Sequence, residues 1–99
     1  MGFSGRQRRF LRSLGHSLRP VVHIGKGGLT EAVVSKLSDE LDAHELIKVK
    51  VLESCPEEAR QTAREAASET SAVLAQTVGR IFLLYRARTE DPTIRLPRR

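Results

Sequence analysis

Aromatic side chains are scarce in this chain: tryptophan is absent, and one tyrosine and three phenylalanines are all that 99 residues contain. Three of the four rings fall where a core wants them, so an aromatic platform for stacking bases is not expected. The single cysteine, Cys55, excludes an intrachain disulfide and a multi-cysteine zinc site. The longest uncharged apolar run, Ile81 to Tyr85, is far below the ~18–20 residues of a membrane span. The first residues carry arginine but no apolar stretch, which argues against a secretory leader. Arg6 stands where a myristoylation signal wants Ser or Thr after Gly2. A reduced cytoplasmic protein without membrane association is expected. Its length suits one small domain over residues 1–99, and 39% apolar with 29% charged residues is ordinary for a folded chain.

Cofactor and catalytic signatures are missing as well. Gly25-Lys26-Gly27 would need glycine at position 30 for the dinucleotide fingerprint, and Thr30 stands there. No phosphate-loop pattern of the Walker type occurs. His16, His23 and His44 lack metal-like spacing and have no paired acids nearby, so no metal site is expected. Ser and Asp residues form no elbow or triad signature. Cys55, next to Pro56 at a helix start, would gain some reactivity from the helix dipole, but no base is near it in sequence. A non-enzymatic protein without a cofactor is expected.

What is abundant is segregated charge. Residues 1–26 carry Arg6, Arg8, Arg9, Arg12, Arg19 and Lys26 with no acid, a local charge of +6. Residues 27–50 sum to −2 and residues 51–72 to −3, whereas residues 73–99 sum to +4. Basic ends around an acidic middle point to a polyanionic partner more than a net charge of +5 would alone.

Periodicity gives the element order. Ser4 is placed to cap a helix running to about Leu14, with Gly15 as its stop. Phe10, Leu11 and Leu14 share an arc of ~100° on that helix, with Phe3 in line, and Arg6, Arg8, Arg9 and Arg12 take the other side. Val21 to Ile24 reads as a short strand after Pro20. Thr30 caps a second helix from Glu31 to about Ala43, striped by Val33, Val34, Leu37 and Leu41. Leu46 to Leu52 alternates, with Ile47, Val49 and Val51 on one face and Lys48 and Lys50 on the other. Pro56 fits the first position of a third helix, whose face of Cys55, Ala59, Ala63, Ala66 and Ala67 permits close approach to a sheet. Ser71–Val78 and Ile81–Arg86 form a hairpin about Gly79. Residues 87–99, with Pro92 and Pro97, read as an extended or partly loose basic tail. The Ile81–Tyr85 strand is apolar on both faces, so each side needs a cover. Two helices supply one cover, and the N-terminal helix is the candidate for the other. The fold class is α/β, a small mixed four-stranded sheet with helices.

The loop Gly25-Lys26-Gly27-Gly28 joins a strand end to a helix start. Its glycines let a ligand backbone come close, and helix-start N–H groups favour anions. A G-x-x-G clamp on a nucleic-acid backbone and a plain tight turn both fit this pattern. Lys48 and Lys50 make a basic row on an open sheet face or a solvated strand face.

Pro20-Val21-Val22-His23-Ile24-Gly25-Lys26-Gly27-Gly28-Leu29-Thr30-Glu31 resembles the opening of the CRM domain family, whose stand-alone bacterial members are the YhbY-like proteins. His44-Glu45-Leu46-Ile47-Lys48-Val49-Lys50-Val51 resembles the family's second strand. Val78-Gly79-Arg80, Leu84-Tyr85-Arg86 and Leu96-Pro97-Arg98 resemble its hairpin and tail. The resemblance implies a sheet of order 1-2-4-3 with the last strand antiparallel to the rest, similar to the C-terminal domain of a bacterial translation initiation factor. It implies RNA binding, with ribosomal RNA or a large-subunit precursor as partner; a monomeric protein is expected. By position, Gly25, Lys26, Gly27 and Gly28 inherit the RNA-contacting loop. Arg8, Arg9, Arg12, Lys48, Lys50 and Arg86 join them on charge. A DNA-binding, nucleoid-type module is the alternative.

Overall fold

The computed structural model describes residues 3–99. Met1 and Gly2, on which the myristoylation argument rests, lie outside the described residues. Seven elements follow one another: α1 (Gly5–Gly15), β1 (Pro20–Ile24), α2 (Glu31–His44), β2 (Leu46–Val51), α3 (Ala59–Thr70), β3 (Val73–Val78) and β4 (Ile81–Tyr85). The sheet order is β1-β2-β4-β3, with β1 and β2 parallel and β4 antiparallel to both of its neighbours. The expected order and the reversed last strand are both present.

Local chemistry sets the helix starts. Ser4 Oγ accepts from the Gln7 N–H at 3.1 Å, and Gln7 Oε1 accepts from the Ser4 N–H at 3.0 Å, closing a capping box. Thr30 Oγ1 accepts from the Val33 N–H at 3.2 Å. Pro56 does not open α3. The helix begins three residues later at Ala59, after a turn, and Glu58 at its cap makes no side-chain bond. Gly15 does not end α1 as a left-handed stop either. It is the last residue of the helix, with His16 in right-handed conformation at the cap. A Cβ on Gly15 would come within 2.5 Å of Leu83 Cδ1, so the glycine is there to let α1 lie close on β4.

The two faces of the sheet are covered unequally. On one, α2 and α3 seal a continuous core that includes Ile24, Leu37, Leu41, Ile47, Val49, Ala63, Ala66, Phe82 and Leu84. Cys55 belongs to this core, with its Sγ 3.8 Å from Thr62 Oγ1. A hydroxyl is not a base, so Cys55 has no activating partner there. On the other face α1 packs Leu11 against Leu46, Ala75, Leu83 and Tyr85. Phe3, Ile94 and Leu96 close the margin of this smaller cluster, and the Phe3 ring meets Tyr85 edge-on at 5.7 Å. Leu14, expected to dock α1, is instead 38% exposed. α1 is anchored by Leu11 and Gly15, and its apolar arc turns partly outward.

The tail has neither helix nor strand, yet it is pinned. Glu45, fully buried and at φ 65°, ends α2. Its carboxylate accepts from the N–H groups of Arg88 (2.8 Å), Thr93 (2.8 Å) and Ile94 (2.9 Å) and from the Thr93 hydroxyl (2.8 Å). Burial alone would raise its pKa. The donors from Arg88, Ile94 and Thr93 outweigh that and hold the carboxyl down at about 2 instead of 4.5. Burial and the charge of Glu45 push the Tyr85 hydroxyl up.

Candidate nucleic-acid interface

Sheet register decides which side chains share the α1 face. One row across the sheet reads Lys48–Leu83–Gln76, and α1 lies on it through the Gly15–Leu83 contact. The next row reads His23–Lys50–Ile81–Val78, at the end where β1 runs out into the Gly25–Gly28 loop. His23, Lys50 and Val78 are exposed in that row and Ile81 is half-buried. The last residue of the helix, Gly15, lies on the Leu83 row, so this next row stays open.

The open part of the face and the flank of α1 form a hollow of about 760 Å³. Arg9, Arg12 and His16 line it from the helix, Lys48 and Gln76 from the floor, and Val78 and Ile81 from the hairpin. A second hollow of about 460 Å³ lies on the other flank of α1 and shares Lys48 with the first. No carboxylate lines either one among the described residues. The opposite surface, between α2 and α3, carries Glu31, Glu65 and Glu69 around a groove. The hollows beside α1 are thus basic and the groove between α2 and α3 is acidic.

The glycine loop sits at the open end. The Gly28 N–H donates to the Gly25 carbonyl at 2.9 Å, closing a turn with Lys26 exposed near its tip. Gly28 has φ +69°, and a Cβ there would meet Glu57 Oε1 at 3.4 Å, so conformation demands glycine. Gly27 is different. It is outside the left-handed region, and a Cβ would meet only Thr30 Cγ2 at 3.8 Å, an ordinary contact. Folding does not require glycine at position 27, whereas a ligand backbone lying on the loop would.

The residues singled out from the sequence fall into two groups. Arg9, Arg12, Lys48, Lys50 and the Gly25–Gly28 loop are gathered on or beside the open part of the α1 face. Arg8 and Arg86 are committed elsewhere. Arg8 is half-buried and donates from Nη1 to the Leu74 carbonyl at 2.9 Å, tying α1 to β3. Arg86 donates to the carbonyls of Thr70 (2.7 Å) and Ser38 (3.0 Å), to Ser38 Oγ (3.0 Å) and to Asp42 Oδ1 (2.8 Å). It clasps α2 and α3 to the end of β4, so its guanidinium donors are engaged within the fold. Sequence reasoning missed His16 and Gln76 as lining residues, and it missed Glu45 as the tail's anchor. The alternation of Ile94 and Leu96 was the signal that the tail has a buried side.

Residues 3–86 match the sequence profile of the CRS1 / YhbY (CRM) domain. A Bacillus subtilis protein that carries the name "Probable RNA-binding protein YqeI" is 38% identical over 94 residues, which span 95% of this chain and 98% of that one. A Haemophilus influenzae protein named "RNA-binding protein" is 43% identical over 96 residues, 97% of this chain and 96% of that one. The solution structure of SAV1595 from Staphylococcus aureus superposes with a TM-score of 0.80 at 37% identity, covering 96% of this chain and 99% of that one.

Proposed function

This chain belongs to the CRS1 / YhbY (CRM) domain family, and from that premise and the basic face of its sheet we propose that it is a non-enzymatic RNA-binding protein. The observation that carries the reading is the gathering of Arg9, Arg12 and Lys48 around a hollow without a lining carboxylate among the described residues, with Lys50 exposed in the adjoining row beside Ile81, at the end where β1 runs on into the glycine loop. Phosphate contacts from these cations supply most of the affinity, and the Gly25–Gly28 loop accepts the sugar–phosphate backbone. Gly27 keeps the approach clear, and Lys26 adds a cation at the loop tip. The names of the Bacillus and Haemophilus relatives support RNA as the polyanion. The finer reading is that the RNA is ribosomal, in a large-subunit precursor, and that the protein acts on it as a cytoplasmic monomer. Its ribosomal part rests on the resemblance of the Pro20–Glu31 and His44–Val51 segments to the family's stand-alone bacterial members.

The test is direct binding of structured RNA by the full chain, with duplex DNA as competitor at one salt concentration. Gly27→Asp places a carboxylate where a phosphate approaches and should abolish binding while the thermal melt is unchanged. Lys26→Ala should weaken binding by about 1 kcal/mol. With about three to five phosphates neutralised, the log–log salt slope should be roughly −2 to −3.5 for single strands. A folded Gly27→Asp protein with full affinity would move the site off the loop, and a preference for duplex DNA would overturn the choice of RNA.

A further inference from the structure

The large apolar side chains standing exposed among the described residues are Leu14, Leu18, Val21 and Val78. All four lie in the two hollows that flank α1, and three of them surround the smaller one. Leu14 reaches it from the end of α1, Leu18 from the connection to β1, and Val21 from β1 itself. None of the three is needed to dock the helix, because Leu11 and Gly15 do that. Exposed apolar surface gathered in one concavity marks a binding site more often than an accident of the surface. The volume of about 460 Å³ falls within the range of small-ligand pockets.

The polar lining limits the occupant. Arg19, Lys48 and His44 also line the cavity, and among the described residues no carboxylate does. The occupant therefore has an apolar body joined to negative charge. Lys48 lines this cavity and the basic hollow alike, so a phosphate chain held at Lys48 borders both. An unpaired nucleobase meets each condition. Its faces pack between apolar side chains, its phosphates stay beside Lys48 and Arg19, and an already unpaired base costs little to extrude. We propose that this cavity receives one unpaired nucleobase turned out of the bound RNA. The proposal rests on the RNA-binding reading above and adds a preference to it: RNA with a bulged or looped-out nucleotide is chosen over a fully paired helix. The scarcity of aromatic rings does not stand in its way, since aliphatic walls and a guanidinium plane supply the packing.

Two hairpins, identical except for one bulged 2-aminopurine, separate the outcomes when titrated with the full chain at one salt concentration. The wild-type protein should bind the bulged hairpin about tenfold more tightly, and emission from the 2-aminopurine should rise on binding. The double variant Leu18→Gln with Val21→Thr changes two exposed positions and should melt like wild type. It should bind both hairpins with the wild-type affinity for the paired one, and its emission should stay flat. Leu14→Gln, on a different element, is read in the same way if the double variant fails to fold. Equal wild-type binding of both hairpins with flat emission overturns the cavity's role and leaves RNA binding standing. Loss of a concentration-dependent dimer in the double variant would assign the cavity to a second copy and also overturns it. Absence of binding to either hairpin overturns the RNA-binding reading and the cavity proposal with it.

Discussion

The two faces of one sheet have been put to different uses. On the α2–α3 side, Val49 and Phe82 pair across the strands and are sealed from water, as are Ile47 and Leu84. Its outer surface is acidic around Glu31, Glu65 and Glu69. On the α1 side a single helix and a pinned tail cover only part of the strands, and the remainder is basic and partly apolar. The same strands serve both faces, because alternation sends Ile47, Val49 and Val51 one way and Lys48 and Lys50 the other. A small domain can thus spend one face on stability and leave part of the other for a ligand.

Substitutions can break that division. Phe82→Ala, in the sealed core, should show the largest loss, about 3–5 kcal/mol in urea unfolding. Glu45→Gln removes a charged acceptor from four donors and should destabilise by about 2–3 kcal/mol. Its effect is pH-dependent with a defined sign. The folded carboxyl titrates at about 2 and the unfolded one near 4.5, so only the unfolded chain gains a proton between those values. The stability Glu45 contributes is therefore full above pH 4.5, falls as the pH drops through this window, and is gone below it. The difference between wild type and Glu45→Gln in unfolding free energy should shrink over the same range. A pH-independent difference would show that the bonds to the tail do not depend on the charge.

A third comparison pairs arginines. Arg86→Ala should cost about 1.5–3 kcal/mol of stability and leave RNA affinity per folded molecule unchanged. Arg9→Ala with Arg12→Ala should leave stability within ~0.5 kcal/mol and weaken RNA binding about tenfold, near 1.4 kcal/mol. The reverse pattern would place the interface on the other side of the molecule. The smallest effect is expected for Leu14→Ala, under about 1 kcal/mol in the same unfolding experiment, because the side chain is partly in water already. A loss of several kcal/mol would mean that α1 is held by its outward arc after all.

Elements with a period were legible from residues alone. The stripe of Leu37 and Leu41 gave α2, and the alternation from Leu46 gave β2 with its faces correctly divided. The sheet order came from resemblance to a family, since no local pattern states that β4 inserts between β2 and β3. Gly15 was misread because a glycine near a helix end fits both a left-handed stop and a close helix–sheet contact. Only Leu83, far away in sequence, decides between them. Arg86 is illegible for a similar reason: charge alone does not tell a clasp from a contact surface, and its acceptors at Ser38, Asp42 and Thr70 come from two other elements. Gly27 and Gly28 look alike in sequence and differ only through φ and the space around each Cβ.

Strand order also governs when this chain can finish folding. β4 is the last strand to leave the ribosome and the third across the sheet, so until residue 85 has emerged β2 has β1 on one side and nothing on the other. β3 makes its pairing with β4 alone, across the Gly79 turn, and joins the other strands only when that hairpin docks as a unit on β2. The docking joins residues 46–50 to residues 81–85, a long-range closure that must be met before α1 has a complete floor. A nascent chain arrested at Val78 would thus hold two halves that cannot register with each other, with the edge of β2 open to any passing strand.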